Sequence, residues 1–417
     1  SSRWTGSFRP CPMADSTTIQ GIAPTATFDA WNRTELAATI QRCQAEGLPI
    51  VDYGQYHDGL GHPPPPRFAT IRTDGGVVEH AVTDMTVTVK AGTTLRELAR
   101  HLIEHRQWLP LDGAPGTITI GEAIAHNVYG PLRAGFGALR DLLPGLKFMN
   151  EQGEEIIVGG RTVKNVAGYD VTKFMVGSLN TLGILTEATL RTWAIPEQVT
   201  TVSLPALPAP LLGANLTSLI STDASPIYLD AQRLGNGQRV THLGYAGSPE
   251  QCAAQFHALR QWLIDIGYDP KTNQAERIDQ SLIKDAAMRA ERLAWRMDAE
   301  AVVKLIVQPG HLGQAIEAAD ELRLPSGTVI DALPMHGVAW LGGPWTATGA
   351  DLLDHHLTVL AKRFGGVRVW VRRPKGAEHL TPLAPPQSDW PILRALQRTF
   401  APKQLFNPGR MFRRNDA

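Results

Sequence analysis

Glycine is the residue whose spacing in this chain points most directly at chemistry. Of 39 glycines, 13 fall between Gly113 and Gly183, a third of the total in about a sixth of the 417 residues. Without a Cβ, glycine lets the backbone take positive φ and lets amide N–H groups close around an anion. Such density inside a globular domain marks either a turn-rich sheet or a cofactor cradle. Other reactive side chains are sparse. Cys11, Cys43 and Cys252 are widely separated, odd in number and form no C-x-x-C pair, so neither a disulfide framework nor a cysteine-ligated zinc or iron–sulfur site is expected. His355 and His356 are adjacent on a helical pattern and point different ways, and no metal ligands are assigned.

The elements that position the glycine block follow from periodicity. Thr34 begins a helix whose apolar positions Leu36, Ala37, Ile40 and Cys43 share a face, and Gly47 ends it. Met85, Val87, Val89 and Ala91 alternate with polar residues, the pattern of a half-buried strand. Thr94 and Glu97 form a capping box for a helix carrying Leu95, Leu98, Ala99, Leu102 and Ile103. Leu142–Met149 and Glu155–Val158 read as a hairpin, and Gly183–Arg191 as a strand closing the block. The pattern resets near Pro196. Strands and helices then alternate to Val371, with Ser248, Pro249 and Gln251 starting one helix; an antiparallel sheet with helices on one side is expected. A last helix spans Trp390–Phe400.

Composition bounds the function class. Lys+Arg and Asp+Glu number 40 each, which argues against a partner that needs a strong positive field, such as nucleic acid. Apolar residues make up 43% and charged residues 19%, ordinary for a folded chain of two or three domains. No apolar run is long enough to span a membrane, and the first residues do not read as a secretory signal, so a cytoplasmic protein is expected. The polar, unpatterned residues 1–33 are expected to form a loose arm.

The phrase Gly168-Tyr-Asp-Val-Thr-Lys-Phe-Met-Val-Gly177-Ser-Leu-Asn-Thr-Leu-Gly183-Ile-Leu-Thr-Glu187 follows Gly159-Gly-Arg-Thr-Val-Lys-Asn165-Val-Ala. Upstream lie Thr119-Ile-Gly-Glu-Ala-Ile-Ala-His-Asn-Val-Tyr-Gly130-Pro-Leu-Arg133 and Gly137-Ala-Leu-Arg-Asp141, and near the end Phe406-Asn-Pro-Gly-Arg410-Met. Together these resemble the FAD-linked oxidases of the vanillyl-alcohol oxidase, or PCMH, type. The likeness is nearest to the smaller FAD-binding subunit of bacterial glycolate oxidase, over about Thr34–Arg191 and the last ~25 residues. The resemblance implies an α+β fold: a two-part PCMH-type FAD-binding domain (34–195, rejoined by 376–417) with an inserted ferredoxin-like α+β cap (196–375).

It also implies a role. The chain would bind FAD non-covalently within a glycolate or D-lactate type dehydrogenase complex acting on a small 2-hydroxy acid. A larger homologous flavoprotein subunit and an iron–sulfur subunit would be its partners, and these could hold it at the inner membrane. By matching position, Tyr53, Gly54, Gln55, Tyr56 and His57, with Pro115, Gly116, Thr119 and Gly121, would hold the pyrophosphate. Asn127 and Gly130 would lie along the ribityl chain, Gly183 and Ile184 beside the adenine, and Asn407 against the flavin. His336 is the candidate base, and Arg372 the candidate clamp for a substrate carboxylate. Some members of the wider family attach FAD through a histidine in the first loop, but His57 stands one place out of register.

Two departures fall in the cradle. The family's run of glycines in the first loop is Gly54-Gln55-Tyr56 here, and its Gly-Gly pair is Gly121-Glu122. A carboxylate beside a diphosphate is repulsive, and a side chain where glycine's φ is positive is strained. The alternative is therefore a structural or assembly subunit that keeps the fold and has lost FAD.

Overall fold

In a computed structural model, residues 19, 22–51, 61–160, 171–205, 219, 222–322, 324–384 and 387–412 are described. The loop Tyr53–His57 and most of the Gly159–Gly168 phrase lie outside them.

The chain opens on strand β1 (Ala26–Ala30), helix α1 (Arg33–Ala45) and strand β2 (Ala69–Thr73), with β1 and β2 parallel. β1 corrects the expected arm. Ala26, Phe28 and Ala30 pack with Leu36, Ile40 and Cys43 of α1, while Thr27 and Asp29 face solvent, a period-two pattern too short to stand out from its polar flank. The cap of α1 is Asn32, not Thr34. Its Oδ1 accepts the Glu35 amide at 3.0 Å, and Gly47 at φ +58° follows the helix end.

Strands β3 (Val77–Ala81) and β4 (Thr86–Lys90), helix α2 (Leu95–Glu104) and the short strand β5 (Gln107–Trp108) come next. Helices α3 (Ile120–Ala125) and α4 (Arg133–Phe136), strands β6 (Gly145–Met149) and β7 (Glu155–Gly159), helix α5 (Thr172–Met175) and strands β8 (Ile184–Arg191) and β9 (Trp193–Ala194) complete this unit. The antiparallel sheet runs β3-β4-β8-β6-β7. The expected hairpin is present, turned by Gly153 at φ +76°. β4 is not half-buried: Thr86 and Thr88, at 7% exposure each, are covered nearly as well as Val87 and Val89. Thr88 Oγ1 is satisfied by Thr189 Oγ1 at 2.9 Å on β8.

The second unit is one antiparallel sheet of nine strands: β10 (Gln198–Pro205), β11 (Tyr228–Arg233), β12 (Arg239–Gly247), β13 (Glu276–Gln280), β14 (Ala301–Ile306), β15 (Val329–Leu333), β16 (Val338–Gly343), β17 (Val367–Arg372) and β18 (Leu383–Ala384). Their spatial order is β13-β10-β12-β11-β15-β16-β14-β17-β18. Helices Pro249–Asp265, Leu312–Asp320 and Ala347–Arg363 bury Leu259, Ala315 and Leu357 against Val202, Leu243 and Val303. The opposite face is covered as well, by helix Leu282–Leu293 and the turn Trp295–Asp298. That face presents Tyr228, Asp230 and Asp331, so its cover carries buried arginines beside the leucines Leu282 and Leu293. The one-sided layer expected from the sequence missed this.

The C-terminal segment returns to the first unit. After helix Trp390–Phe400, Leu405 and Phe406 enter the core beside Ile50, with Ile50 and Phe406 paired in parallel. No helix among the described residues is long and apolar enough to cross a membrane.

Candidate functional site

The start of α3 is the first of the expected contact points. Thr119 caps the helix and Glu122 closes a capping box: Thr119 Oγ1 accepts the Glu122 amide at 3.1 Å, and Glu122 Oε2 accepts the Thr119 amide at 2.8 Å. The next donors are also engaged. Ile120 N–H and Gly121 N–H each reach a carbonyl 2.8 Å away, on Thr93 and Ala91, and Ala123 N–H bonds Thr119 O at 2.9 Å. All five amides from 119 to 123 are thus used within the fold, one of them by the carboxylate that replaces the second glycine. Gly121 itself admits the turn at Ala91, whose Cβ and carbonyl oxygen would lie 3.2 Å from an added Cβ. Gly116 lies against Arg96 in the same way, at 3.3 Å, and Pro115 O accepts the Ile118 amide.

The far end of α3 has a different character. Asn127 follows the helix at φ +49°. A turn packs on this end through Gly177 N–H to Ile124 O and Leu179 N–H to Ala125 O, both 2.9 Å. In that turn Leu179 and Asn180 are left-handed too, at φ +53° and +52°. Asn407, at φ +40° and almost fully buried, donates Nδ2 to Leu179 O at 2.8 Å and its backbone N–H to Ile50 O at 2.8 Å. Three asparagines and a leucine in a conformation that L residues seldom adopt therefore meet at one point, where the first loop leaves the described chain. Local strain of this kind, of order 1 kcal/mol or more per residue, persists only where the surroundings enforce it, and it clusters at functional sites. Ser178 Oγ, in the same turn, is buried with no hydrogen-bond partner among the described residues. An orphan hydroxyl between two strained backbones fits a polar ligand group there. The residues around Asn127, Ser178 and Asn407 thus fit a cofactor, whereas the self-capped start of α3 offers a diphosphate nothing as it stands.

Gly130 and Gly183 serve packing. A Cβ on Gly130 would lie 2.4 Å from Asp112 Oδ1, and one on Gly183 would lie 2.5 Å from the Phe148 ring. Ile184 pairs with Met149 across β8 and β6.

The candidate base and clamp lie on the second sheet. His336 ends the turn after β15, half-buried. Burial, and then the Arg133 guanidinium, pull its ring down to about 4, so the imidazole is neutral at physiological pH. Around it the two units meet through aromatic and cationic groups that the sequence reading did not single out. Tyr129 and Trp340 lie 5.4 Å apart between ring centres. Arg133 Cζ sits 4.8 Å over the Tyr129 ring, and Lys304 Nζ 5.5 Å from the same ring and 6.0 Å from Trp340. Arg133 thus stands beside both the neutral imidazole and the aromatic pair, with Lys304 on the same rings. Only the fold brings these residues together, since they come from α4, β14, β16 and the turn after β15. Arg372 is placed otherwise, donating Nη1 to Met297 O at 2.9 Å and to Ala299 O at 2.5 Å.

Deeper in the contact, Arg289, Arg292 and Arg296 pair with Asp112, Asp230, Asp285 and Asp331. Burial raises the carboxyl of Asp331 to about 6 despite Arg296, and raises that of Asp112 despite Arg289.

Comparison with known proteins shows what the chain is similar to. Residues 24–176 match the family described as FAD binding domain. The mitochondrial cytochrome-type D-lactate dehydrogenase of Arabidopsis thaliana is 34% identical over 167 residues, covering 39% of this chain and 29% of that protein. Glycolate oxidase subunit GlcE of Escherichia coli K12 is 30% identical over 165 residues, covering 39% of this chain and 47% of that subunit. Each match spans less than half the length of the relative. D-2-hydroxyglutarate dehydrogenase of Xanthomonas citri pv. viticola is 26% identical over 376 residues, covering 80% of this chain and 77% of that enzyme. Among solved structures, FgChi7B superposes with TM-score 0.68 at 16% identity, covering 94% of this chain and 92% of that one. Alkyldihydroxyacetonephosphate synthase does so with TM-score 0.65 at 14% identity, covering 92% and 76%. At such identities the likeness shows the fold alone. Residues 24–176 match the FAD binding domain, in a chain whose α+β fold is shared with those solved structures and whose relatives in sequence include D-lactate dehydrogenases and glycolate oxidase subunits.

Proposed function

We propose that this chain is the FAD-domain subunit of a glycolate or D-lactate type 2-hydroxyacid dehydrogenase complex. Residues 34–195 and 376–417 form the flavin domain and 196–375 its cap. The observation that carries the reading is the left-handed turn Leu179–Asn180, with the buried, unpartnered Ser178 hydroxyl beside it, joined to left-handed Asn407 and packed on the end of α3 next to left-handed Asn127, which lies within the region 24–176 matched to FAD binding. Bound FAD supplies the two-electron oxidant for a hydroxy acid. Asn127, Ser178 and Asn407 would hold it. Where α4 meets the second sheet, Arg133 and Lys304 suit a substrate carboxylate, and neutral His336 suits the role of accepting a hydroxyl proton. Electrons would leave through an iron–sulfur partner, as the widely spaced cysteines offer no cluster ligands of their own. Cytoplasmic placement, with any membrane association made through partners, completes the proposal.

A second reading is favoured by one observation, the Glu122 carboxylate on the Thr119 amide. On it the chain keeps the fold, holds no FAD and serves assembly. The visible spectrum of the purified full chain separates the two. A yellow preparation that releases FAD on denaturation and is bleached by D-lactate or glycolate supports the first. A colourless one that takes up no added FAD overturns it and leaves the second.

A further inference from the structure

Edge strand β3 and the last turn of α2 bring three histidines together, well away from the cofactor region. His101 lies in the final turn of α2 and His105 is its C-cap, four residues on and so on the same face. His80 comes from β3. The three rings pack with centres 4.7–5.0 Å apart, and His80 Nδ1 is 3.0 Å from His101 Nε2. One nitrogen from each ring lies within 4.8 Å of the other two. Four-coordinate zinc, with Zn–N about 2.0–2.1 Å, needs nitrogens about 3.4 Å apart, a gap that small ring rotations close.

The buried side chain behind them fixes the chemistry of the cluster. Gln107 donates Nε2 to Val82 O at 2.8 Å, so its Oε1 is the atom turned the other way, where it accepts the Thr192 hydroxyl at 2.6 Å. That same Oε1 lies 3.0 Å from His80 Nε2. A carbonyl oxygen only accepts, so His80 carries its proton on Nε2 and turns a bare Nδ1 lone pair towards His101. A ring whose far N–H is held by a fixed carbonyl is the arrangement that orients a metal-ligating histidine. His101 is half-buried and His105 exposed, which leaves one side of the cluster open to water.

We propose that His80, His101 and His105 bind one divalent transition-metal ion of the zinc class, with a solvent molecule in the fourth position. Three imidazoles suit zinc, copper, nickel or cobalt and not magnesium or calcium. The ion would tie the edge of the first sheet to the end of α2. His101 and His105 lie about 10 and 16 Å along α2, at 1.5 Å per residue, from the Thr94 cap that is bridged to Thr119 at the start of α3.

The test uses the full chain, free of any affinity tag and stripped with chelator, titrated with Zn2+ by calorimetry and with Co2+ by its visible spectrum. Expected are one equivalent of metal, four-coordinate Co2+ bands, and a higher unfolding midpoint that chelator reverses. His105→Ala, at an exposed position that folding tolerates, should weaken binding about tenfold or more, and Gln107→Leu should weaken it without changing stoichiometry. His355→Ala, an exposed histidine on a distant helix, should change nothing. Absence of stoichiometric uptake overturns the proposal. So does uptake that survives both His80→Ala and His105→Ala, or that falls equally in His355→Ala.

Discussion

Arg289 of the second unit donates Nε to Asp112 Oδ2 of the first at 3.1 Å, and its Nη1 pairs with Asp285 on its own helix. The Arg289 side chain is 2% exposed, its guanidinium lies 5.0 Å from the Tyr228 ring centre, and it is one of the links by which the second unit holds the first. Breaking such a pair leaves a buried charge unmatched, costing about 3–5 kcal/mol, whereas replacing both charges by apolar groups costs far less. Arg289→Met and Asp112→Leu should each lower the urea midpoint strongly. The double variant should lie well above the sum of the two losses, since the remaining strain falls on Asp285 alone. Additive losses would mean that the pair carries no coupling.

Glu122 serves the fold and opposes an anionic ligand with the same atoms. Glutamine at this position keeps the capping box and removes the charge; glycine removes both. Glu122→Gln should therefore leave thermal stability within about 0.5 kcal/mol and tighten FAD uptake, read by quenching of flavin fluorescence. Glu122→Gly should cost about 1 kcal/mol of stability while freeing the Thr119 amide. If Gln and Gly variants bind FAD no better than the parent chain, the carboxylate does not obstruct the cofactor.

Much of this was legible from local pattern. The capping boxes at Thr94 and Ser248, the hairpin across Gly153 and the last helix each depend on neighbours in sequence, and each formed as read. The likeness to the FAD binding domain was recognisable because its glycine phrases are local too. Illegible were relationships set by distant pairing. His101 and His105 stand four apart on a capped helix, a spacing visible in sequence, but the third ring comes from a strand 21 residues before His101. Lys304 and Arg133 reach Tyr129 only because two sheets face one another. The arginine cover of the second sheet was hidden for the same reason: nothing local marks Arg289 and Arg296 as buried, since Asp112 and Asp331, with which they pair, lie far away in sequence.

Two histidines give the fold an acid-sensitive component. His242, on β12 with Nδ1 3.0 Å from Ser203 Oγ, is held at about 3 by burial and by Arg292, and His336 at about 4. Both folded values lie below the ordinary 6.5, so the unfolded chain takes up these protons first. Their stabilisation is complete above pH 6.5 and is lost as pH falls towards 4. Asp331, raised to about 6, acts in the opposite sense and gains stability over the same range, which flattens the profile of the whole chain. A difference measurement removes that cancellation. His242→Gln, which keeps a hydrogen-bonding side chain and cannot be protonated, should lose stability less than the parent between pH 6.5 and 4, by about 1–3 kcal/mol in chemical denaturation. Parallel pH profiles would show that His242 is protonated equally in both states.

Gly113 and Gly237 separate steric from conformational need. Both are left-handed, at φ +89° and +87°. A Cβ on Gly113 would lie 2.2 Å from Tyr129 O, a contact with backbone that cannot yield, while one on Gly237 would meet nothing within 4 Å. Alanine at Gly237 should cost only the conformational penalty, about 1 kcal/mol. Alanine at Gly113 pays the same penalty and must also push apart segments 112–113 and 129–130, which seat Asp112 for Arg289 and Tyr129 for Lys304. Its loss should exceed that of Gly237→Ala by at least about 2 kcal/mol. It should also weaken the Asp112–Arg289 coupling in the same denaturation experiment. Equal losses at the two positions would mean that the 112–130 contact bends freely, and that the wall between the two units does not depend on it.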